Sequence, residues 1–219
     1  MRFVAFETSS EWCSVALYDG GEICSLEQRA GNRHSELALP MLERLLADAG
    51  LTPAALDAVA YGAGPGSFTG LRIACGLAQG LAVARALPVY GVSSLAAMAQ
   101  ESGAQRVVAC IDARMREVYY AALERTPGGW RELIGPRCVA PRAVAAPPGD
   151  DWIGCGNGFA VYGNFGLKIV LSMVHPTALA VAELAAPHLA AGEGVDAALA
   201  APRYVRDKVA FTREELGHS

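Results

Sequence analysis

Apolar positions set the rhythm of the chain. "RFVAFET" and "CSVALYD" are short runs dense in buried-type residues, and "GG" at Gly20 and Gly21 turns the second into "EICSLEQ". This predicts an antiparallel meander of three strands. The spacing then changes to helical. In "NRHSELALPMLERLLADAG", Leu39, Leu42, Leu46 and Ala49 form one stripe and Leu37, Met41 and Leu45 another. Asn32 is placed to cap that helix, Gly50 to end it in the left-handed conformation, and Pro40 to kink it or delay its first full turn. "TPAALD" is a helical turn with Thr52 as cap and Pro53 in first position. "DAVAYGA" is a buried strand, followed by the glycine-rich "GAGPGSFTGLR", a helix from about Gly70 to Ala86, the strand "PVYGV", and a helix capped by Ser93 or Ser94.

A second unit begins near Arg106. "RVVACIDA" and "EVYYAALER" pair across "RMR", "GGW" marks a turn, and "APPGDD" is a surface loop. "WIGCGNG" is a short strand ending in a turn, and "HPTALAVAELAAPHLAAG" is a helix with Pro176 at its start. The tail "PRYVRDKVAFTREELGHS" is charged and is expected to run over the surface. The order β-β-β-α-β-α-β-α, then a shorter β-β…α, predicts two related α/β halves with a cleft between them.

Composition narrows the function classes. The chain has 219 residues, 53% hydrophobic and 18% charged, enough for a large core and unlike a disordered segment. A net charge of −4 gives no overall electrostatic reason for tight nucleic-acid binding. Lysine occurs only at Lys168 and Lys208. The N-terminus lacks the apolar core of a signal peptide, and no run is long enough to span a bilayer, so a cytoplasmic protein is expected. Six cysteines without a CxxC pair are expected to be buried free thiols.

The glycine-rich loop raises the question of phosphate. Gly70 is followed by Leu71 and Arg72, so the Gly-Lys-Ser/Thr of a Walker loop is absent. In the register from Gly64, Thr69 stands where the third glycine of a dinucleotide fingerprint belongs. Two readings stay open. Backbone N–H groups of Ser67, Phe68, Thr69 and Gly70 could receive an anion at a helix N-terminus, or Gly64, Gly66 and Gly70 only turn the strand into the helix while Ser67 or Thr69 caps it. The helix that follows is apolar on nearly all sides and needs cover on more than one face. Ala74, Ala78 and Ala82 would let a second helix approach closely. With Leu71 and Cys75, and with Leu37, Met41 and Leu45 of the preceding long helix, they are the predicted partner interface, the alternative being that the two helices simply cover each other.

"FETSSEWCSVALYDGG", "NRHSELALPML", "LDAVAYGAGPGSFTGLRIACGLAQGLA", "PVYGVSSL", "DARMREVY" and "PRYVR" resemble, in order along nearly the whole chain, the TsaB (YeaZ) family of bacterial tRNA threonylcarbamoyladenosine biosynthesis proteins. These are glycoprotease-like members of the actin, heat-shock and sugar-kinase superfamily. The resemblance implies an α/β fold of two ribonuclease-H-like, actin-like ATPase domains, 1–104 and a reduced 105–219 whose tail packs back on the first. It implies a non-catalytic subunit that pairs with the catalytic TsaD subunit and supports threonylcarbamoyl transfer to the adenosine beside the anticodon. In TsaD the stretch equivalent to "VSSLAAM" carries two metal-binding histidines; here those positions are Ser94 and Met98, a poor ligand pair for a catalytic divalent metal.

The resemblance also marks a degenerate nucleotide site. Glu7 and Ser9 occupy the first phosphate hairpin, where the superfamily opens with aspartate and glycine. Asp112 lies in "DAR", which lacks the Asp-x-Gly of the second phosphate loop. Expected partners are a TsaD-like subunit, a TsaE-like ATPase, tRNA through the complex, and a second copy of the chain when alone. ATP and a divalent metal are expected on the partner subunits. His34, alone in its helix, is expected at the surface or as a cap. The alternative is an ATP-dependent phosphotransferase of the sugar-kinase type with Asp112 as base. A protease is disfavoured, because none of the four histidines forms a nucleophile motif.

Overall fold

The computed structural model describes residues 1–206. Strands β1 (Arg2–Glu7), β2 (Trp12–Asp19) and β3 (Glu22–Arg29) form the antiparallel meander, and β4 (Ala58–Gly64) and β5 (Val89–Ser93) add in parallel on the far side of β1. The sheet order is β3-β2-β1-β4-β5. The second sheet repeats this plan. β6 (Arg106–Arg114), β7 (Glu117–Thr126) and β8 (Gly129–Val139) are the meander, and β9 (Ile153–Cys155) and β10 (Ile169–Leu171) are parallel additions in the order β10-β9-β6-β7-β8. Both sheets therefore have the third-second-first-fourth-fifth order of a ribonuclease-H-like fold. The second is reduced, because its two additions span three residues each.

Helices cover the first sheet on both faces. α1 (His34–Asp48) and α2 (Phe68–Val83) lie on one side, where Leu42, Leu45, Ala74 and Ala78 meet Phe6, Val15 and Val59. On the other side lies α5 (Ala178–Ala190), with Ala178, Val181 and Ala185 against Phe3, Ala16 and Val92. Cover on both faces explains why Phe3 to Glu7 are all buried and why β1 and β4 read as continuous apolar runs. α3 (Ser94–Glu101) leaves the first sheet and packs Leu95, Met98 and Ala99 on Val107, Ala121 and Cys155 of the second. The two sheets thus exchange helices: the one before β6 covers the second sheet, and the one after β10 covers the first.

Several local expectations change. Arg33, not Asn32, precedes α1, and no side chain caps it; nor does Thr52 cap the turn at Pro53–Ala55. Pro40 lies inside an unbroken α1. α5 starts at Ala178, with Thr177 Oγ1 accepting from the Ala180 N–H at 3.1 Å, so Pro176 stands outside it. β8, β10 and the short α4 (Asn157–Tyr162) carry no periodic apolar pattern and escape the sequence reading. Part of the charged tail, residues 207–219, lies outside the described residues. The part before it is pinned rather than loose: the Arg203 N–H donates to the Ala63 carbonyl at 2.7 Å, and Tyr61 Oη donates to the Ala201 carbonyl at 3.0 Å.

Candidate functional site

The β1–β2 turn, the 64–67 loop and the start of α3 meet around Glu7, which is 1% exposed. Glu7 Oε1 accepts the Ser9 N–H at 2.6 Å, and Oε2 accepts from Ser94 Oγ at 3.0 Å. Ser94 is the first of the two positions that the resemblance matches to metal-binding histidines. Its hydroxyl is committed to Glu7. Met98, the second, is 1% exposed and buried among Leu95, Val107 and Cys155. A hydroxyl donating to a carboxylate and a thioether sealed in a core do not fit a divalent metal. Among the described residues no cluster of three His, Cys, Asp or Glu side chains could hold one.

Burial pushes the Glu7 carboxyl above its ordinary value, and the hydrogen bonds from Ser9 and Ser94 only partly offset this. An acid raised in the folded state contributes its full stability below the unfolded value and loses it as pH rises through the raised one. Glu7→Gln keeps the size and one acceptor oxygen without the charge. Its urea midpoint relative to the native chain should therefore rise as pH is raised from the ordinary glutamate range towards neutrality. An offset unchanged across that span would mean that Glu7 is not a strained carboxylate.

Asp112 and His34 are also tied to neighbours, whereas Ser9 Oγ is not. Asp112 Oδ1 accepts from Tyr162 Oη at 3.1 Å and from the Arg114 N–H at 2.9 Å, which leaves it poorly placed as a general base. Ser9 Oγ is buried without a hydrogen bond. His34 corrects its expectation: it is buried, and its Nε2 lies 2.9 Å from the Ser10 carbonyl, tying α1 to the β1–β2 turn. Cys13, Cys75, Cys110 and Cys155 are buried, Cys138 is half-buried and Cys24 exposed. Burial, with a smaller contribution from a nearby carboxylate, pushes the Cys13 and Cys110 thiols up to about 11 and about 12, so neither is a nucleophile at neutral pH.

The geometry decides between the two readings of the glycine-rich loop. Ser67 N–H donates to the Ser9 carbonyl at 2.8 Å, and Gly70 N–H donates to Ser67 Oγ at 3.3 Å. Two of the four N–H groups an anion would need are already used. Ser67 is the cap, while Thr69 is exposed and caps nothing. Thr8 Oγ1 donates to the Gly70 carbonyl at 2.7 Å and completes a seam between the β1–β2 turn and the loop. At Gly66, Cβ would stand 2.6 Å from Ser9 Cβ. Gly64 is at φ +110°, a region closed to most other residues. Thr8 was missed by the sequence reading, because its partner lies sixty-two residues away.

The predicted partner interface needs the largest correction. Leu45, Leu71, Ala74, Cys75, Ala78 and Ala82 are buried in the chain's own core against the first sheet, and Leu37 and Met41 are half-buried at its edge. The α2 stripe that reaches solvent is Arg72 followed by the small Gly76 and Gly80, flanked by half-buried Ile73, Leu77 and Leu81, with Val83 68% exposed. On α1, Leu39 is 44% exposed. A helix apolar on every side does not reveal which side meets the sheet. The spacing of Gly76 and Gly80 was the one available signal.

Two sheets of the same ribonuclease-H-like strand order, with helices packed on them, define an α/β protein of internally repeated design. The family described as TsaD, tRNA N6-adenosine threonylcarbamoyltransferase, matches residues 26–213. The tRNA threonylcarbamoyladenosine biosynthesis protein TsaB of Haemophilus influenzae is 37% identical, over 97% of this chain and 97% of its own length. That of Escherichia coli is 36% identical over 97% and 98%. Among solved structures, YeaZ from Pseudomonas aeruginosa superposes with a TM-score of 0.88 at 40% identity, covering 93% of this chain and 99% of that one. The chain belongs to the TsaB (YeaZ) branch of this family.

Proposed function

We propose that this chain is a non-catalytic subunit of the tRNA N6-threonylcarbamoyladenosine modification system. It pairs with a TsaD-type catalytic subunit and supports transfer of the threonylcarbamoyl group to the adenosine beside the anticodon. The observation that carries the reading is what stands at the two positions matched to metal-binding histidines. Glu7 and Ser94 satisfy each other, and Met98 is sealed where the catalytic relative is implied to hold a metal ligand. Similarity at 36–37% identity along almost the whole of two TsaB proteins supports the system.

The docking surface in this reading is the outer face of α1 and α2 around Gly76, Gly80, Leu39 and Val83, the apolar helical surface that the first sheet does not cover. ATP and a divalent metal then belong to the catalytic subunit and to a TsaE-type ATPase. Without a partner the same face pairs two copies about a two-fold axis. Among the described residues no helix is long and apolar enough to cross a membrane, which is consistent with work in the cytoplasm.

Reconstitution tests the reading. Modification of a tRNA transcript by the partner proteins should fall to background when this chain is omitted and return when it is added. Glu7→Gln should restore it as well as the native chain does. Micromolar ATP binding by the isolated chain in calorimetry, or full modification in its absence, would count against the subunit role. The first result would favour a sugar-kinase type of phosphotransferase.

A further inference from the structure

Arg114, Met115 and Arg116, in the β6–β7 turn, all adopt positive φ, at 61°, 53° and 60°. None is glycine, so each is held in a conformation unfavourable for its side chain. Such strain persists only where the surroundings fix it. Here Asp112 Oδ1 accepts the Arg114 N–H at 2.9 Å, and Arg206 Nη2 donates to the Ala113 carbonyl at 3.1 Å and to Glu117 at 2.6 Å. The consequence is a rigid turn with two exposed arginines; the Arg114 side chain is 87% exposed.

The surface continues from Arg206 through the chain to Tyr204, whose hydroxyl accepts from Arg72 Nε at 3.0 Å. The Tyr204 ring lies 5.6 Å from that of Phe68, and the Arg72 guanidinium sits 3.8 Å above Phe68. Both rings are open to solvent, Phe68 at 39% and Tyr204 at 49%. Asp112 and Glu117, the carboxylates that contact this run, are paired with Arg114 and Arg206. Among the described residues Arg72 and Arg116 have no carboxylate partner. A chain whose net charge is −4 therefore gathers arginines and two exposed aromatic rings along one surface.

We propose that this surface binds single-stranded RNA, with phosphates on Arg72, Arg114 and Arg116 and an unstacked base on Phe68 and Tyr204. Guanidinium groups pair with phosphate in a planar fork, and exposed rings beside them offer stacking platforms that any base can use. The inference rests on the proposed role in tRNA modification and deepens it. It gives this subunit an RNA contact of its own, apart from the Glu7–Ser94 pair.

Fluorescence anisotropy with the full-length chain and a labelled anticodon stem–loop RNA at low ionic strength provides the test. Binding should weaken with salt. Arg116→Ala should lower the salt slope by about one, and Arg116→Lys should keep it. Phe68→Ala should weaken affinity by roughly tenfold through lost stacking. All three variants should unfold at the native temperature and still co-elute with the catalytic subunit. The proposal is overturned by no RNA binding at low salt, by an Arg116→Ala chain with unchanged slope and affinity, or by displacement of the RNA with micromolar ATP. Loss of co-elution in Arg116→Ala with intact RNA binding would assign the surface to a protein partner and also overturn it. If reconstituted modification still requires the chain while any of these results holds, the subunit role stands without the RNA surface.

Discussion

Gly70→Ala is expected to cost about 3 kcal/mol of stability, the upper range for forcing an extra carbon into a packed seam. A Cβ on Gly70 would fall far inside contact distance of the Thr8 carbonyl oxygen. That oxygen is backbone, so no side chain can swing aside. Relief requires α2 to move away from the β1–β2 turn, which breaks the Thr8 to Gly70 and Ser67 to Ser9 hydrogen bonds together. Thermal unfolding and the urea midpoint should both fall, and RNA and partner binding should fail only as the folded fraction falls. Gly66→Val should act in the same direction, because it meets Ser9 in the same seam. A Gly70→Ala chain of native stability that had lost nucleotide or anion binding would mean that the loop is a ligand cradle after all.

The second large effect separates the two faces of α2. Gly80→Arg should leave the monomer folded. Nothing lies within 4 Å of a Cβ built at Gly76 or Gly80, and removing a mid-helix glycine gains up to about 1 kcal/mol. The same change places a long cation on the proposed docking face, so complex formation with the catalytic subunit should fall by at least an order of magnitude, as should self-association. Ala78→Glu should do the opposite. Ala78 is fully buried against the first sheet, and an unpaired carboxylate there should unfold the chain before docking can be measured. Size-exclusion chromatography with circular dichroism distinguishes the outcomes. A soluble, folded Ala78→Glu chain that merely fails to dock would restore the interface predicted from sequence.

The comparison between those two alanine and glycine stripes shows why part of the site was hidden. Period and length place α2 within two or three residues of its observed ends, but both stripes recur every fourth residue and both are small. Only the position of the first sheet decides which one is core. The same holds for His34, which spacing leaves at a surface and contact with the Ser10 carbonyl buries. Glu7, Ser9, Asp112, Ser94 and Met98 were each marked in the sequence through the resemblance to a known family. That Glu7 is hydrogen-bonded to Ser94, eighty-seven residues away, was not.

The sequence by itself determined the first meander, the strands that follow it, the reduced two-fold repetition and the family, because these follow from local periodicity, turn residues and ordered motifs. Tertiary structure alone decided the exchange of helices between the sheets and the burial of the alanine stripe. It alone also joined Glu7 to Ser94 and gathered Phe68, Arg72, Arg114, Arg116 and Tyr204 on one surface. Each of those depends on contacts between residues far apart along the chain. Local pattern carries no information about which of two chemically similar faces will be nearest when the chain closes on itself.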